Sequence, residues 1–347
     1  PRPKLSREAP LPERATAGRA LPVFVLLRSC DGGALAGPLR VFARAPRAAP
    51  GGVAITPAEQ VVDTPERSAR ARLDLQFERR GRYELRGPGA ARVDPLGLAS
   101  GAPLFAPGAT VLVHPRFERL DEFPVPVGRR YQPGGIPLTS STGDAIEFVG
   151  TREYRPGDPL KHIHWRSWAR RGEPVVKEFQ EEYFCRIALV LDTFLPRGFG
   201  ADGRRGFEGA LSLGASIADV FSRSEHIVDV LAAGPDLYEV SAGRSLAYLE
   251  NILDVLACLE PCQQPPFETV GPALFDKLAQ TTTVVAVLLD WDDSRAAFLR
   301  RVRSLGVAVR GVIVRDGETS RPWQAASGEL DLSLVDARAL EERLRRA

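Results

Sequence analysis

RIALVLD, residues 186–192, is an apolar run closed by a carboxylate. The first strand of an α/β sheet often delivers a polar residue to the ligand edge of the sheet in this way. The same grammar repeats downstream in HIVDVLAAG (226–234), DLYEV (236–240), TTVVAVLLD (282–290), GVAVRGVIV (306–314) and ELDLSLV (329–335), with helical stretches between most of them. Leu246, Leu249, Ile252, Leu253 and Leu256 mark one face of a helix at spacings of three and four. Leu213, Ile217, Val220 and Phe221 form a second stripe, and Phe298, Val302 and Leu305 a third. Burying five side chains of this kind contributes on the order of 10 kcal/mol before entropy, enough to dock a helix on a sheet. Apolar strands alternating with amphipathic helices predict an α/β domain over 185–347 with a mostly parallel, doubly wound sheet.

Upstream lies the most distinctive segment of the chain, EFVGTREYRPGDPLKHIHWRSWARRGEPVVKEF, residues 147–179, within a region taken as 147–184. Arg155-Pro156-Gly157-Asp158 places Pro and Gly at the two central positions of a tight turn, and Asp158-Pro159 suits a helix start. Gly172 is a natural stop, so the spacing predicts a helix over 159–171. Arg152, Arg155, Lys161, Arg166, Arg170 and Arg171 make the segment basic, with Glu178, Glu181 and Glu182 just downstream as internal partners. Trp165 and Trp168 are interleaved with these arginines, and Trp and Arg dominate interface hot spots.

Further towards the amino end, LPVFVLLRS (21–29), PLRVFAR (38–44), ARLDLQFE (71–78), GRYELRG (81–87) and ATVLVHP (109–115) are short β-type runs punctuated by Gly and Pro. They predict an all-β sandwich over 21–120. Residues 1–20, rich in proline and charge, read as a flexible lead-in. Residues 121–146, without periodicity and rich in Pro, Gly, Ser and Thr, read as a linker.

The 147–179 segment running into RIALVLD resembles the bacterial family called domain of unknown function 58, as does the stretch RRGRYELRGPGAARVDPLGL at 79–98. The resemblance implies a carboxyl-terminal von Willebrand factor A-like domain. It also implies a partner, a MoxR-type AAA+ ATPase, and one or two membrane helices upstream of the region seen here. Domains of that type commonly hold a divalent cation through an Asp-x-Ser-x-Ser motif, to which Asp192, Phe194 and Pro196 would correspond. Only the aspartate is retained. Replacing two hydroxyls by a phenyl ring and a pyrrolidine removes oxygen ligands that a hard cation needs, so the metal site is expected to be lost. Asp192 and Asp290 are the remaining weak metal candidates, with Asp292 and Asp293 beside the latter.

The leading expectation is therefore a non-enzymatic, cofactor-free adaptor that binds protein and recruits or regulates a MoxR-type AAA+ ATPase. Its candidate partner-binding residues are Asp192, Thr193, Phe194 and Arg197 at the sheet edge, and Arg152, Arg155, Asp158, Trp165, Arg166, Trp168 and Arg170 in the upstream segment. A cation-dependent adhesion module is the first alternative. A metal-dependent hydrolase using Asp158, His162 and His164 is the second, and it requires those three side chains to converge.

Composition bounds these choices. The chain has 347 residues, 44% apolar and 26% charged, as expected of folded domains. Basic and acidic residues, 46 against 44, nearly cancel, so no global field recruits nucleic acid. Cys30, Cys185, Cys258 and Cys262 are too scattered for a disulfide framework and read as reduced thiols. No Walker-type loop, G-x-S-x-G elbow or His-Glu-x-x-His helix occurs, which argues against an ordinary ATPase, esterase or zinc protease. No apolar run reaches the ~20 residues that span a bilayer. The expected location is the cytoplasm, either as a free protein or as the soluble part of a membrane-anchored one; the absence of methionine fits either initiator removal or excision from a longer protein, and the membrane helices that the resemblance implies favour the latter.

Overall fold

The computed structural model describes residues 3–346 apart from 8–9, 30–32, 34, 36, 47–48, 64–65, 95, 97, 127–145, 159, 182–185, 224–226, 234–236, 243–245, 265–266 and 278–280. The chain forms two compact units, one made of Pro1–Gly128 together with Arg186–Ala347, the other of Arg129–Cys185. The amino-terminal strands and the carboxyl-terminal α/β region thus belong to one body, rather than to successive separate domains.

In the first unit the amino-terminal strands are β1 (Pro3–Arg7), β2 (Arg14–Thr16), β3 (Ala20–Ser29), β4 (Leu39–Phe42), β5 (Val53–Thr56), β6 (Glu59–Val62), β7 (Ser68–Phe77), β8 (Gly81–Leu85), β9 (Gly89–Arg92), β10 (Leu104–Phe105) and β11 (Ala109–His114). They make three sheets, ordered β1-β3-β7-β5, β10-β9-β4-β6 and β2-β11-β8. Strict alternation explains the long pair: Val23, Val25 and Leu27 of β3 and Leu73, Leu75 and Phe77 of β7 point inward to one apolar core, with Tyr83 of β8. Within the expected lead-in, Pro3–Arg7 and Arg14–Thr16 are paired strands. β1 adds antiparallel to β3, and β2 pairs parallel with β11, so both serve as edge strands, where proline and charge are tolerated.

The second unit holds a two-stranded antiparallel ribbon, β12 (Ile146–Glu153) with β13 (Val175–Glu181), and the helix α1 (Trp165–Arg171). The expected helix over 159–171 is divided. A short 3-10 turn covers Leu160–His162, and α1 begins only at Trp165.

The rest of the first unit runs β14 (Arg186–Leu191), α2 (Gly200–Arg223), β15 (Ile227–Ala233), β16 (Leu237–Ala242), α3 (Leu246–Cys258), α4 (Phe267–Lys277), β17 (Thr283–Leu288), α5 (Asp293–Ser304), β18 (Ala308–Arg315), β19 (Asp331–Asp336) and α6 (Ala337–Arg346). These strands form one sheet, ordered β16-β15-β14-β17-β18-β19, parallel throughout except for the antiparallel edge strand β16. β14 and β17 are covered on both faces, which is why they read as unbroken apolar runs rather than alternating ones. One apolar core lies under α2, α3 and α6, the other under α4 and α5. Leu305, expected on the buried stripe of α5, lies past the last turn and is exposed.

The carboxyl-terminal part of the expected linker that is not described is 127–145. Residues 121–126 of that linker are a strap across the first unit. Phe123 packs edge-on against Phe221 of α2 at 6.1 Å, and the Thr283 hydroxyl donates to the Pro126 carbonyl at 3.1 Å.

The amino-terminal sheets and the α/β part are joined by charged groups. Arg14 of β2 forks onto Asp254 of α3, with its nearest contact at 2.7 Å, and His114 at the end of β11 meets the same carboxylate at 2.6 Å. Arg80, nearly fully buried, donates to the carbonyls of Leu256 and Leu259 and to Glu208.

Candidate functional site

Reversal of strand order between β15-β14 and β17-β18 places the topological switch point of the sheet between the carboxyl ends of β14 and β17. Open α/β sheets bind ligands in the crevice at such a point. Asp192 sits there, directly after β14, with its backbone N–H donating to the Val287 carbonyl of β17 at 2.9 Å.

Its carboxylate is already occupied. Oδ1 accepts from the Phe194 N–H at 2.9 Å, and Oδ2 accepts from the Leu289 N–H at 2.9 Å. The Arg295 guanidinium, in the first turn of α5, completes the set through Nε and Nη2, each 2.7 Å from Oδ2. Asp192 is 1% exposed and Arg295 3%. Asp292, the N-cap of α5, accepts from the Arg295 backbone N–H at 2.9 Å and binds its guanidinium as well. The Phe194 ring lies against the guanidinium, 5.6 Å from centroid to Cζ. Burial pushes the Asp192 carboxyl up, against the opposing pull of Arg295 and the two backbone donors. Burial also works against the Arg295 charge, but Asp192 and Asp292 outweigh it and hold the guanidinium above its ordinary value.

Two of the partner-binding residues expected at this edge are therefore corrected. Asp192 and Thr193 are core residues, since both are buried and the Thr193 carbonyl accepts from the Cys262 N–H at 2.7 Å. Leu195 N–H bonds the Cys262 carbonyl in return at 2.9 Å, so residues 193–195 are stitched to the loop after α3. Phe194 is half-buried, and Arg197 is exposed with its Nε 3.0 Å from the Gln263 side chain. The remaining rim carboxylate, Asp290, also serves the fold. It accepts from the N–H groups of Trp291 and Ser320 and from the Ser320 hydroxyl, and Arg315 lies 2.6 Å away. Burial opposes the Asp290 charge, but these partners hold its carboxyl below the usual range. Asp293 pairs with Arg321 at the surface. No group of three or more His, Cys, Asp or Glu side chains among the described residues is arranged to hold a metal ion.

In the second unit the Arg155–Asp158 turn forms as the sequence requires. Gly157 has φ 107°, the Asp158 N–H bonds the Arg155 carbonyl at 3.1 Å, and the Asp158 carboxylate accepts from the Arg155 N–H at 2.8 Å. Arg152, near the end of β12, grips the same carboxylate with two nitrogens at 2.7 and 2.8 Å. This fork, with the Arg155 N–H, holds the Asp158 carboxyl down to about 2. His164 precedes α1, and its Nδ1 meets the Ser167 hydroxyl one turn on. Asp158 and His164 thus have separate partners, and the His162 side chain lies outside the described residues, as do those of Glu178, Glu181 and Glu182.

α1 ends as expected at Gly172, whose φ of 76° is the left-handed cap and whose N–H bonds the Trp168 carbonyl. No residue of this helix is buried. Trp165 is 64% exposed and stacks on Trp168 with ring centroids 5.3 Å apart and planes 18° from parallel. Arg166 and Arg170 are exposed on the same helix. The structure so divides the expected site in two: a sealed Asp192 rim, and an open indole and guanidinium face.

Nothing in the sequence around Arg295 marks it as a partner of Asp192. The one signal available was Asp292 three residues before it, an N-cap pattern that also positions an i, i+3 ion pair.

A curated relative, the uncharacterized protein YeaD of Bacillus subtilis (strain 168), is 27% identical over 136 residues, 39% of this chain and 33% of that protein. The matched region thus spans about a third of the relative's length. Among solved structures, the manganese-loaded TRAP protein of Plasmodium vivax matches with a TM-score of 0.32 and 10% identity, covering 47% of this chain and 74% of that one. The Lin-41 filamin domain matches with a TM-score of 0.19 and 19% identity, covering 31% and 90%. The model of the family described as protein of unknown function DUF58 matches residues 150–315, a stretch that runs from within β12 to the end of β18 and contains both α1 and the Asp192–Arg295 pair.

Proposed function

We propose that this chain is a non-enzymatic protein-binding module whose contact face is α1, with Trp165 and Trp168 as anchors and Arg166 and Arg170 as flanking charges. The observation that carries this reading is the stacked indole pair standing 64% exposed at Trp165 on a helix that buries none of its residues. Removing two indoles from water against a partner releases several hundred Å² of apolar surface, worth a few kcal/mol at about 25 cal/mol per Å². The arginines favour a partner segment that carries carboxylates.

The von Willebrand A-like reading of the α/β part is supported by its strand order and by a carboxylate at the end of the first strand of that sheet. In this reading the Arg295 guanidinium takes the place a bound cation would take beside Asp192, so partner binding is independent of magnesium or manganese. A cation-dependent adhesion role loses its motive for the same reason: the carboxylate it would need already has four donors. The resemblance of the 147–192 region to domain of unknown function 58 proteins makes a MoxR-type AAA+ ATPase the partner to test, with the chain acting in the cytoplasm, free or as the soluble part of an anchored protein.

Biolayer interferometry with that ATPase, with and without nucleotide, is expected to show saturable binding that survives EDTA and weakens at least tenfold in the Trp165→Ala/Trp168→Ala variant. No binding in either nucleotide state, or binding indifferent to the two indoles, would overturn this proposal.

A further inference from the structure

Within the first unit, a cleft of about 1050 Å³ opens at the seam between the amino-terminal sheets and α2. Its walls come from β7 and the β7–β8 turn, from residues 115–116 after β11, from the start of α2, and from α6. The volume is at the upper end of what small-molecule sites occupy, and seams between packed bodies are a favoured place for them.

Its charge is one-sided. Arg79, Arg80, Arg116, Arg204, Arg205 and Arg345 line it, against Glu78, Glu208 and Glu341. Half of these arginines are neutralised within the fold: Arg80 by Glu208, Arg205 by Asp202, Asp316 and Glu341, and Arg345 by Glu341. The other three are not. Arg116 donates only to carbonyls, those of Ala17 at 3.2 Å and Leu344 at 2.9 Å. Arg204 lies over the Phe199 ring at 5.7 Å, and among the described residues neither it nor Arg79 has a carboxylate partner. Arg116 is also held in place sterically, since its guanidinium lies across the Cα of Gly18, where a Cβ would fall 1.1 Å from Nη2.

Against these three guanidinium groups the lining leaves one carboxylate outside the ion pairs, Glu78, which accepts from the Gly52 N–H, so the cleft keeps a net positive charge and a positive potential. A planar carboxylate satisfies one arginine fork. A phosphate group offers oxygens in tetrahedral directions and up to two negative charges, and so suits forks that approach from different walls. We propose that this cleft binds a small molecule bearing two or more phosphate groups, engaged by Arg79, Arg116 and Arg204. The site shares no residue with the α1 face, so either assignment can fail without the other.

The test is isothermal titration of the full chain at about 0.1 M salt with inorganic tripolyphosphate and, separately, with ATP. Saturable one-to-one binding below millimolar is expected for at least one probe. The Arg79→Gln/Arg204→Gln variant should lose at least tenfold in affinity, whereas Arg303→Gln on the exposed side of α5 should stay within twofold. Among the described residues neither arginine of the double variant carries an ion pair, so its thermal midpoint should match the parent and show that the cleft is intact. Equal affinity for the two probes marks recognition of the phosphate chain alone, and tighter binding of ATP marks a nucleotide. Absence of saturation with both probes, or equal binding by the parent and the double variant, would overturn the assignment.

Discussion

Arg295 is bound to Asp192 where an open α/β sheet usually keeps its crevice, and both groups are cut off from water. A buried pair of this kind contributes little net stability against an apolar alternative, but losing one partner strands the other charge. Arg295→Ala is therefore expected to destabilise the protein by about 3–5 kcal/mol in urea unfolding. Arg295→Lys should recover only part of that loss, because an ammonium cannot fork between Asp192 and Asp292 while lying on the Phe194 ring. Added magnesium or manganese should leave the melting temperature of the parent unchanged. At Asp158 the sign of the pH dependence follows from its lowered value of about 2. Its contribution to the turn is fully present above the unfolded carboxylate value, roughly pH 4, and disappears only as pH falls through about 2. A carboxyl-carbon NMR titration should show this midpoint, and Arg152→Gln should move it up towards the ordinary aspartate range while the Arg155 N–H still holds it below.

Single glycines set two of the elements. Gly172 ends α1 at φ 76°, so Gly172→Ala is expected to cost about 1 kcal/mol and to speed amide exchange in α1 roughly fivefold. Gly214 lets α2 settle on β14. A Cβ there would lie 2.8 Å from a Leu191 methyl, and Gly214→Val should overpack this contact by about 1–3 kcal/mol in chemical denaturation. What could be read in advance at this scale depended on burial. RIALVLD and TTVVAVLLD announced themselves because β14 and β17 are covered on both faces, and the stripes of α2 and α3 because one face of each is. β1, β2, β5, β6 and β10 carry no clear β signal because edge strands are short and keep proline, charge or only two residues, and the inner strand β9 carries none because Gly89, Ala90 and Ala91 are small. Asp192 was legible as a strand-end carboxylate. Its burial was not, because the guanidinium that seals it comes from 103 residues further on. The exposed indoles of α1 were legible in type, and their stacking is set by their i, i+3 spacing.

At the scale of the molecule, Asp254 of α3 ties the two parts of the first unit together by holding both Arg14 and His114. Burial opposes its charge, yet Arg14 and His114 keep its carboxyl below the usual range. This contribution is present above the unfolded aspartate value and fades as acid titrates the folded group. Asp254→Ala should cost about 1–3 kcal/mol, and hydrogen exchange should then report different opening free energies for β11 and α3 where the parent shows one. The chain reaches this body twice, and between the two visits it makes the whole of the second unit. It departs after Pro126, whose carbonyl is bonded to Thr283, and rejoins at Arg186, whose carbonyl is bonded to the adjacent Thr282. Departure and return are thus neighbours on a single strand end. A bridge of about six glycines and serines, reaching roughly 20 Å, could replace residues 129–185 and leave a scaffold that still folds, turning the inserted unit into a cassette to be removed, exchanged or transplanted whole.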